Sequence, residues 1–261
     1  MQTENSSQNA FRLDGRHALV TGGASGIGEA TVKELVRAGA IVWIADINLA
    51  AAESLAQTLP SAQPLHLDVT SLESIAAAVA KLSRLDILVN NAGIGHVGSI
   101  EATEPADFDR LMNVNVRAVY LVTRAFLPLL LAPSAQGGPV GTIVNIASVA
   151  GLVGIKQRFA YCTTKGAVIA MTRQLAVEYP KTLRVNAVCP GTVETPFVEA
   201  YLEKFHQHNK EEMRAELRAR QPIGRLGQPN EIASMVRYLA SNEAAFISGA
   251  LFNIDGGWTA A

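Results

Sequence analysis

A tyrosine and a lysine stand four residues apart, at Tyr161 and Lys165, in a segment with helical periodicity. Residues at this spacing share one face of a helix, so the ammonium group can lie near the phenol. A free phenol has a pKa of about 10 and is a poor base at neutral pH, but an adjacent cation favours the phenolate. The pair is therefore suited to general acid and base chemistry on a hydroxyl or carbonyl group.

Ser148 is a further candidate catalytic residue, because it directly follows the apolar run 142–147, which predicts a buried strand. Ligands of parallel α/β sheets bind beyond the carboxyl ends of the strands. A serine hydroxyl at such an end can donate a hydrogen bond to a developing alkoxide. Serines also cap helices and form turns, but the strand-end position and the spacing to Tyr161 favour the catalytic interpretation.

A glycine-rich segment, Thr21-Gly-Gly-Ala-Ser-Gly-Ile-Gly28, lies between the first predicted strand and the first predicted helix. Gly22, Gly26 and Gly28 let the chain turn sharply and bring the amino end of the helix close to a diphosphate. A glycine-rich turn without a ligand is the weaker interpretation, because an acidic residue follows at the expected distance, at the end of the second strand.

That acidic residue is Asp46. Its carboxylate can accept hydrogen bonds from both ribose hydroxyls of an adenosine, whereas it would repel a 2′-phosphate. A 2′-phosphate would also need a nearby cation, and none is supplied by Ala24, Ser25, Ile47 or Asn48. The sequence therefore predicts NAD rather than NADP.

Asp68 follows the third predicted strand and has two interpretations. Its carboxylate can cap the following helix, or it can bind the amino group of adenine. The two roles are compatible, and both remain open at this point.

Seven short apolar runs predict the strands that must position these residues: 18–20, 41–45, 65–67, 87–89, 143–146, 185–188 and 251–254. Six segments of helical period lie between them: 27–38, 49–59, 72–82, 108–130, 160–179 and 231–240. This alternation predicts an α/β fold with right-handed crossovers and a doubly wound, parallel, seven-stranded sheet covered by helices on both faces. The candidate residues should then meet at the carboxyl ends of the strands.

The same pattern predicts a single domain over 13–261, preceded by a polar, frayed start over 1–12. The one long departure from alternation, 192–228, carries two amphipathic stretches and predicts a lid over the substrate. The proline- and glycine-containing stretch 133–139 predicts a surface turn.

Composition narrows the class of partner. The 22 basic and 23 acidic residues give a net charge of −1, which provides no field for binding nucleic acid or a membrane surface. The polar start is unlike a signal peptide, and no apolar run looks long enough to span a bilayer, so a cytoplasmic protein is expected. The two cysteines, Cys162 and Cys189, have no partner at metal-binding spacing, so no metal and no disulfide are expected.

Taken together, the motifs from about 13 to 258 resemble those of the short-chain dehydrogenase/reductase family. They are the glycine-rich segment, Asn90-Asn-Ala-Gly93, Asn115, Ser148, Tyr161-Cys-Thr-Thr-Lys165, Pro190-Gly191 and Asp255-Gly-Gly257. The resemblance implies a Rossmann-type fold, hydride transfer between NAD and a secondary alcohol or ketone, and a homotetramer. It also implies that Asn115 holds a water molecule linking Lys165 to solvent.

By the same resemblance, one set of residues is expected to contact the cofactor: Gly22, Ser25, Gly26, Ile27, Gly28, Asp46, Asp68, Val69, Asn91, Ala92, Gly93, Tyr161, Lys165, Pro190, Gly191, Val193 and Thr195. The segment 90–93 would pass the adenosine. The segment after Pro190 would face the nicotinamide carboxamide.

For the substrate, the carboxyl-terminal half resembles family members that act on 3-hydroxybutyrate and on 2-keto-3-deoxy sugar acids such as 2-keto-3-deoxy-L-fuconate. Arg158 lies one helical turn before Tyr161, where it can bind a substrate carboxylate. The resemblance implies a second clamp at Arg220, although a surface arginine is nearly as well supported there. His96 and Glu194 follow strands and can offer polar groups to a longer acid. Tyr201 replaces a basic lid residue of the hydroxybutyrate enzymes, so the acid can differ.

Two alternative functions remain. A 3-oxoacyl-[acyl-carrier-protein] reductase has a similar sequence pattern, but Asp46 is unsuited to the NADPH that reductive biosynthesis usually draws on. A non-catalytic NAD-binding redox sensor would have no need of Ser148, Tyr161, Lys165 and Asn115 together.

Overall fold

The computed structural model describes residues 10–132 and 141–261. The predicted turn at 133–139 and most of the predicted frayed start lie outside the described residues. Phe11 and Arg12, which the sequence assigned to that start, are anchored: the Phe11 amide donates to Glu243 Oε1 at 2.8 Å, and Arg12 pairs with Asp14.

Seven strands form one sheet in which every pairing is parallel: β1 His17–Thr21, β2 Ile41–Asp46, β3 Ala62–His66, β4 Ile87–Asn90, β5 Gly141–Ile146, β6 Leu183–Pro190 and β7 Leu251–Ile254. Their order across the sheet is β3-β2-β1-β4-β5-β6-β7. The strand order reverses between β1 and β4, and a crevice for ligands is expected at such a switch point. The predicted fold class is therefore confirmed.

The α-helices are α1 Gly26–Arg37, α2 Leu49–Ala56, α3 Leu72–Val79, α4 Pro105–Met112, α5 Ala118–Leu131, α6 Phe159–Glu178, α7 Pro196–Phe205, α8 Lys210–Ala219 and α9 Pro229–Ala240. A π-helical segment, Asn113–Arg117, joins α4 to α5. Prolines at the first positions of α4, α7 and α9 suit helix starts, because the amide they lack has no partner in the helix there.

Alternation along the strands divides the core between the two faces of the sheet. Val20 and Ile44 pack with α1 and α9 on one face, and Leu19 and Leu88 pack with α3 and α5 on the other. Because helices cover both faces of the sheet, the strand sequences are continuous apolar runs and do not alternate between apolar and polar residues.

The helical stretch Pro105–Leu131 is long and apolar enough to cross a membrane by length and composition alone. The expectation that no apolar stretch reaches this length is therefore wrong. Leu111 and Phe126 of this stretch are completely buried, and Phe126 lies in the core on the α3 side. The core helix of a globular protein can have the same length and apolar composition, so these two properties are weak evidence for a membrane span.

The lid, residues 192–228, contains α7 and α8 and has a hydrophobic cluster of its own. This cluster comprises Val198, Leu202, Met213, Leu217 and Leu226, with Tyr201 packed against it. This segment is thus a small folded unit that follows the end of β6, and its role as a lid over the substrate stays a prediction.

Candidate active site

The residues with candidate chemistry gather at the carboxyl ends of the central strands. Asn90 ends β4 and is paired in register with Asn145 of β5, while Ile146 is paired with Val188 of β6. The loops that leave these neighbouring strands therefore start side by side, and the helix α6 returns over them.

Ser148 stands two residues beyond the end of β5, and its side chain has two partners. Its Oγ accepts a hydrogen bond from the Ala150 amide at 3.1 Å and caps the short 3₁₀ helix Val149–Gly151. It also acts on the Tyr161 phenol, whose pKa it lowers. The capping interpretation of this serine is confirmed, and its catalytic role stays a prediction.

The Tyr161 phenol lies in an environment that resists ionisation. Burial raises the pKa of Tyr161 above its ordinary value, while the hydrogen bond with Ser148 and the positive charge of Arg158 oppose the rise. Arg158 is thus a second cation near the phenol, besides Lys165, which the sequence singled out. Loss of water around the ring accounts for the direction, because a buried anion is poorly solvated.

Lys165 lies on the same face of α6, with its Nζ 5.8 Å from the centroid of the Tyr161 ring. The ammonium group donates to the Ile146 carbonyl at 2.9 Å, at the end of β5. Burial lowers the pKa of Lys165 from 10.5 to about 8. The amine is thus close to its titration point near neutral pH.

Asn115 lies in the π-helical segment and is 1% exposed. Its Oδ1 accepts from the Ile94 amide and its Nδ2 donates to the Ile94 carbonyl, both at 2.8 Å. Nδ2 also donates to Thr164 Oγ1 at 3.2 Å. Asn115 thereby ties the loop after β4 to the helix that carries Tyr161 and Lys165, and π-helical turns often mark such sites.

The glycine-rich loop has the close backbone packing that its sequence predicted. Gly22 and Gly26 have positive φ angles of 60° and 54°. A Cβ on Gly28 would lie 2.0 Å from the Gly22 carbonyl oxygen, so only glycine fits there. Ser25 is the N-cap of α1 and makes no side-chain capping bond, and Ile27 packs against the core. The loop therefore presents backbone and the amino end of α1, which suits a diphosphate.

Asp46 ends β2 and holds this loop. Its Oδ2 accepts from the Ala24 amide at 3.0 Å, and its Oδ1 accepts from the Asn48 amide at 2.9 Å. Each carboxylate oxygen has two acceptor sites, so one on each oxygen remains for a ribose hydroxyl.

The residues after β3 and β4 line the neighbouring part of the crevice. Val69 and Ala92 border one recess, and Asn91 donates from Nδ2 to the Thr21 and Gly22 carbonyls at 3.0 Å. A Cβ on Gly93 would lie 3.7 Å from Lys165 Nζ. This loop therefore runs from the glycine-rich loop to the lysine.

Asp68 does not cap α3. The cap is Ser71, whose side chain accepts from the Ser74 amide. Asp68 Oδ1 accepts from the Thr70 hydroxyl at 2.7 Å and from the Thr70 amide at 2.8 Å, and these bonds lower the pKa of Asp68. The capping interpretation was wrong because Val69 and Thr70 separate Asp68 from the cap residue, Ser71.

The segment after β6 crosses the mouth of the crevice. Pro190 ends the strand, and Gly191 packs so closely that a Cβ would lie 2.6 Å from Gln221 Oε1. Val193 is buried, and Thr195 caps α7 through the Val198 amide. The Thr195 methyl lies 3.4 Å from the Cβ position of Gly26, so the lid begins against the glycine-rich loop.

Arg158 immediately precedes α6 and is half-buried. Its Nη1 donates to the His96 carbonyl at 3.1 Å, and its guanidinium carbon lies 4.5 Å from the centroid of the Tyr201 ring. Among the residues that the structure describes, no carboxylate lies within salt-bridge distance of Arg158.

The other candidate substrate residues have different surroundings. The His96 imidazole faces Asp107, with Nε2 3.6 Å from Oδ2 of the carboxylate. His96 contacts Arg158 through its backbone carbonyl. Glu194 is exposed and accepts from Gln228 at 2.9 Å. The Arg220 guanidinium carbon lies 5.9 Å from the centroid of the Trp258 ring. The described hydrogen bonds and ion pairs do not join these three side chains to Ser148 or Tyr161.

Sequence reasoning missed Phe197. Its ring centroid lies 6.5 Å from that of Tyr161, and its edge occupies the space that a Cβ on Gly95 would need. The available signal was the spacing of aromatic residues at 197, 201 and 205 along α7. Such spacing also suits a lid helix that packs on itself, which is why it was not distinctive.

Comparison with known proteins gives concordant matches. The profile of a protein family described as Enoyl-(Acyl carrier protein) reductase matches residues 22–259. The 2-(S)-hydroxypropyl-CoM dehydrogenase 3 of Xanthobacter autotrophicus is 41% identical, over 95% of this chain and 98% of that protein. The 2-keto-3-deoxy-L-fuconate dehydrogenase of Xanthomonas campestris pv. campestris is 39% identical, over 95% of this chain and 81% of that protein. The structure of ligand-free aldohexose dehydrogenase from Thermoplasma acidophilum has a TM-score of 0.85 at 31% identity, covering 97% of this chain and 96% of that one.

The parallel sheet and the glycine-rich loop define a Rossmann-type oxidoreductase that uses a nicotinamide cofactor. More narrowly, the chain belongs to the short-chain dehydrogenase/reductase family, whose members act on CH–OH groups of small molecules.

Proposed function

We propose that this protein is an NAD-dependent dehydrogenase that oxidises a secondary hydroxyl group on a small substrate bearing a carboxylate. The favoured substrates are 2-keto-3-deoxy sugar acids, such as 2-keto-3-deoxy-L-fuconate, and 3-hydroxy acids. The observation that carries this proposal is the Arg158 guanidinium, which lies one turn before Tyr161 at the start of α6 and has no carboxylate within salt-bridge distance among the described residues.

In the proposed mechanism, Tyr161 is the general base that takes the proton of the substrate hydroxyl. Burial opposes the phenolate that this role needs, and the positive charges of Lys165 and of oxidised nicotinamide, when bound, would favour it. Ser148 donates a hydrogen bond to the substrate oxygen and stabilises its developing charge. Lys165, held at the Ile146 carbonyl, passes the proton onward, and Asn115 positions the loop and helix between which a relaying water would bind. When bound, NAD accepts the hydride from the substrate carbon.

The glycine-rich loop and Asp46 support the choice of cofactor. The Gly22, Gly26 and Gly28 backbone leaves room for a diphosphate at the start of α1, and Asp46 retains acceptor sites for the ribose hydroxyls. A 2′-phosphate beside Asp46 would be repelled.

Arg158 supports the choice of substrate, because a planar guanidinium binds a carboxylate through two parallel hydrogen bonds. Arg158 is half-buried, and its described hydrogen bond uses Nη1 alone. A substrate acid can therefore supply the missing partner next to the reacting hydroxyl.

The test is NADH formation across a panel that contains 3-hydroxybutyrate, 2-keto-3-deoxy-L-fuconate and neutral secondary alcohols. We expect oxidation of an acid, with Arg158→Ala raising KM at least tenfold for acids and little for neutral alcohols. An equal rise of KM for acids and for neutral alcohols in Arg158→Ala would show that Arg158 does not bind a substrate carboxylate. A preference of the unaltered protein for NADPH and 3-oxoacyl thioesters would favour a reductase instead.

The family resemblance also supports a homotetramer in the cytoplasm as part of this proposal.

A further inference from the structure

Tyr201 of the lid supports Arg158 from one side. The guanidinium carbon lies 4.5 Å from the ring centroid, within the range of a cation–π contact. On the other side, Nη1 donates to the His96 carbonyl at 3.1 Å. The Tyr201 ring thus contacts the face of the guanidinium, and the His96 carbonyl accepts from Nη1. The other N–H groups of Arg158 can bind a carboxylate.

The ring of Tyr201 is itself held in place. Its hydroxyl lies 2.8 Å from His206 Nε2, and His206 Nδ1 lies 3.3 Å from Asn209 Oδ1. When Nδ1 donates to Asn209 Oδ1, Nε2 is the ring nitrogen that can accept a hydrogen bond from the Tyr201 hydroxyl. The ring also packs against the hydrophobic cluster of the lid and lies 5.8 Å from the Phe205 ring.

We propose that Tyr201 is a positioning residue that sets substrate specificity by holding the Arg158 guanidinium in the orientation that binds a carboxylate. This inference rests on the proposed function, because it assumes that Arg158 binds the acid. Tyr201 acts through Arg158 and does not itself enter the proton transfer.

The contact joins two separate elements. Arg158 immediately precedes α6, whereas Tyr201 belongs to α7, so the Arg158–Tyr201 contact connects the segment 192–228 to the helix that carries Tyr161. A neutral substrate gains nothing from this contact, because it does not use the guanidinium.

The experiment measures kcat and KM for Tyr201→Leu and Tyr201→Phe. The probes are 3-hydroxybutyrate or 2-keto-3-deoxy-L-fuconate, whichever the unaltered protein oxidises faster, and neutral 3-hydroxybutyramide. Tyr238→Leu is the matched control, because Tyr238 is a partly buried tyrosine of α9 whose ring contacts Phe11 and has no described contact with Arg158 or Tyr201. Each variant is also made in the Arg158→Ala background, since a double-mutant cycle isolates the pair.

We expect Tyr201→Leu to raise KM for the acid about fivefold, with kcat and the KM for the amide unchanged. Tyr201→Phe keeps the ring face and should stay within about twofold of the unaltered protein. The effect of Tyr201→Leu should vanish in the Arg158→Ala background. If Tyr201→Leu lowers the melting temperature by more than about 5 °C, Tyr201→Met takes its place.

An unchanged acid KM in Tyr201→Leu overturns the inference, as does an equal rise for the amide or a rise that persists without Arg158. If Arg158→Ala itself affects acid and amide equally, it is the proposed function that fails. The two failures are thus distinguishable within one set of measurements.

Discussion

At the scale of single residues, burial of the charged Lys165 side chain destabilises the folded protein. Its side chain is nearly fully buried, and burial lowers its pKa to about 8. The folded protein therefore binds this proton less tightly than the unfolded chain does. The resulting penalty is fully present below pH 8 and is relieved as the pH rises from about 8 toward 10.5.

We therefore expect Lys165→Met to abolish oxidation and yet raise the free energy of unfolding at pH 7 by about 1–2 kcal/mol. Urea unfolding at pH 7 and pH 10 measures this, and the gain should shrink at the higher pH. Lys156→Met is the control, because Lys156 is exposed. A variant less stable than the unaltered protein at pH 7 would contradict the prediction.

Asp46 governs the choice between NAD and NADP in the proposed function. We expect Asp46→Ala to lower the ratio of kcat/KM for NAD to that for NADP by about tenfold or more, because the repulsion of a 2′-phosphate is removed. Asp46→Asn retains an acceptor for the glycine-rich loop and separates the loss of charge from the loss of loop support. An unchanged ratio in both variants would show that another residue selects the cofactor.

At the scale of elements, the turn from β1 into α1 depends on backbone contact. We expect Gly28→Ala to destabilise the protein by about 1–3 kcal/mol and to weaken NAD binding, because its Cβ would lie 2.0 Å from the Gly22 carbonyl. Thermal unfolding and calorimetric titration with NAD measure the two effects. Gly154→Ala is the matched control, since nothing lies within 4 Å of its Cβ position. Equal behaviour of the two variants would refute the tight turn.

A buried arginine binds backbone carbonyl groups at and after the carboxyl end of helix α9. Arg184 of β6 is 5% exposed and donates to the Leu239, Ser241 and Ala244 carbonyls at 2.8, 3.2 and 3.0 Å. We expect Arg184→Met to lower the free energy of unfolding by about 3 kcal/mol, because buried carbonyls lose their donor. Urea unfolding tests this, with Arg117→Met on the exposed side of the helix before α5 as the control. A loss no larger than that of the control would disprove the capping role.

At the scale of the whole molecule, apolar side chains remain exposed on several elements, including Tyr120, Val177 and Phe246. Such side chains favour association between copies of a chain. Light scattering should give four times the mass of one chain, and Phe246→Glu should shift the distribution to smaller species. Leu72→Glu, at a similarly exposed apolar position on α3, should leave it unchanged. A monomer in every case would contradict the proposed tetramer.

The sequence alone determined the order and type of the elements, because buried strands and amphipathic helices leave short-range periodic patterns. It was least accurate at β3, predicted over 65–67 and found at Ala62–His66. This strand lies at the edge of the sheet, where Pro64 is tolerated and burial is uneven, so its apolar run is short. The glycine-rich loop and the Tyr161–Lys165 spacing were also readable, because their geometry is local.

Only the tertiary structure decided which distant side chains meet. Arg158 contacts Tyr201 and the His96 backbone, whereas Arg220 lies near Trp258 and the His96 ring turns to Asp107. Of the two roles left open for Asp68, the structure removes helix capping, which Ser71 performs. Contacts of this kind depend on how the lid packs on the strand ends, and no local pattern in the sequence records that packing. Ser148, Tyr161 and Lys165 could be proposed from sequence because two short segments carry them, whereas the contact of Phe197 with Tyr161 and of Tyr201 with Arg158 needed the fold.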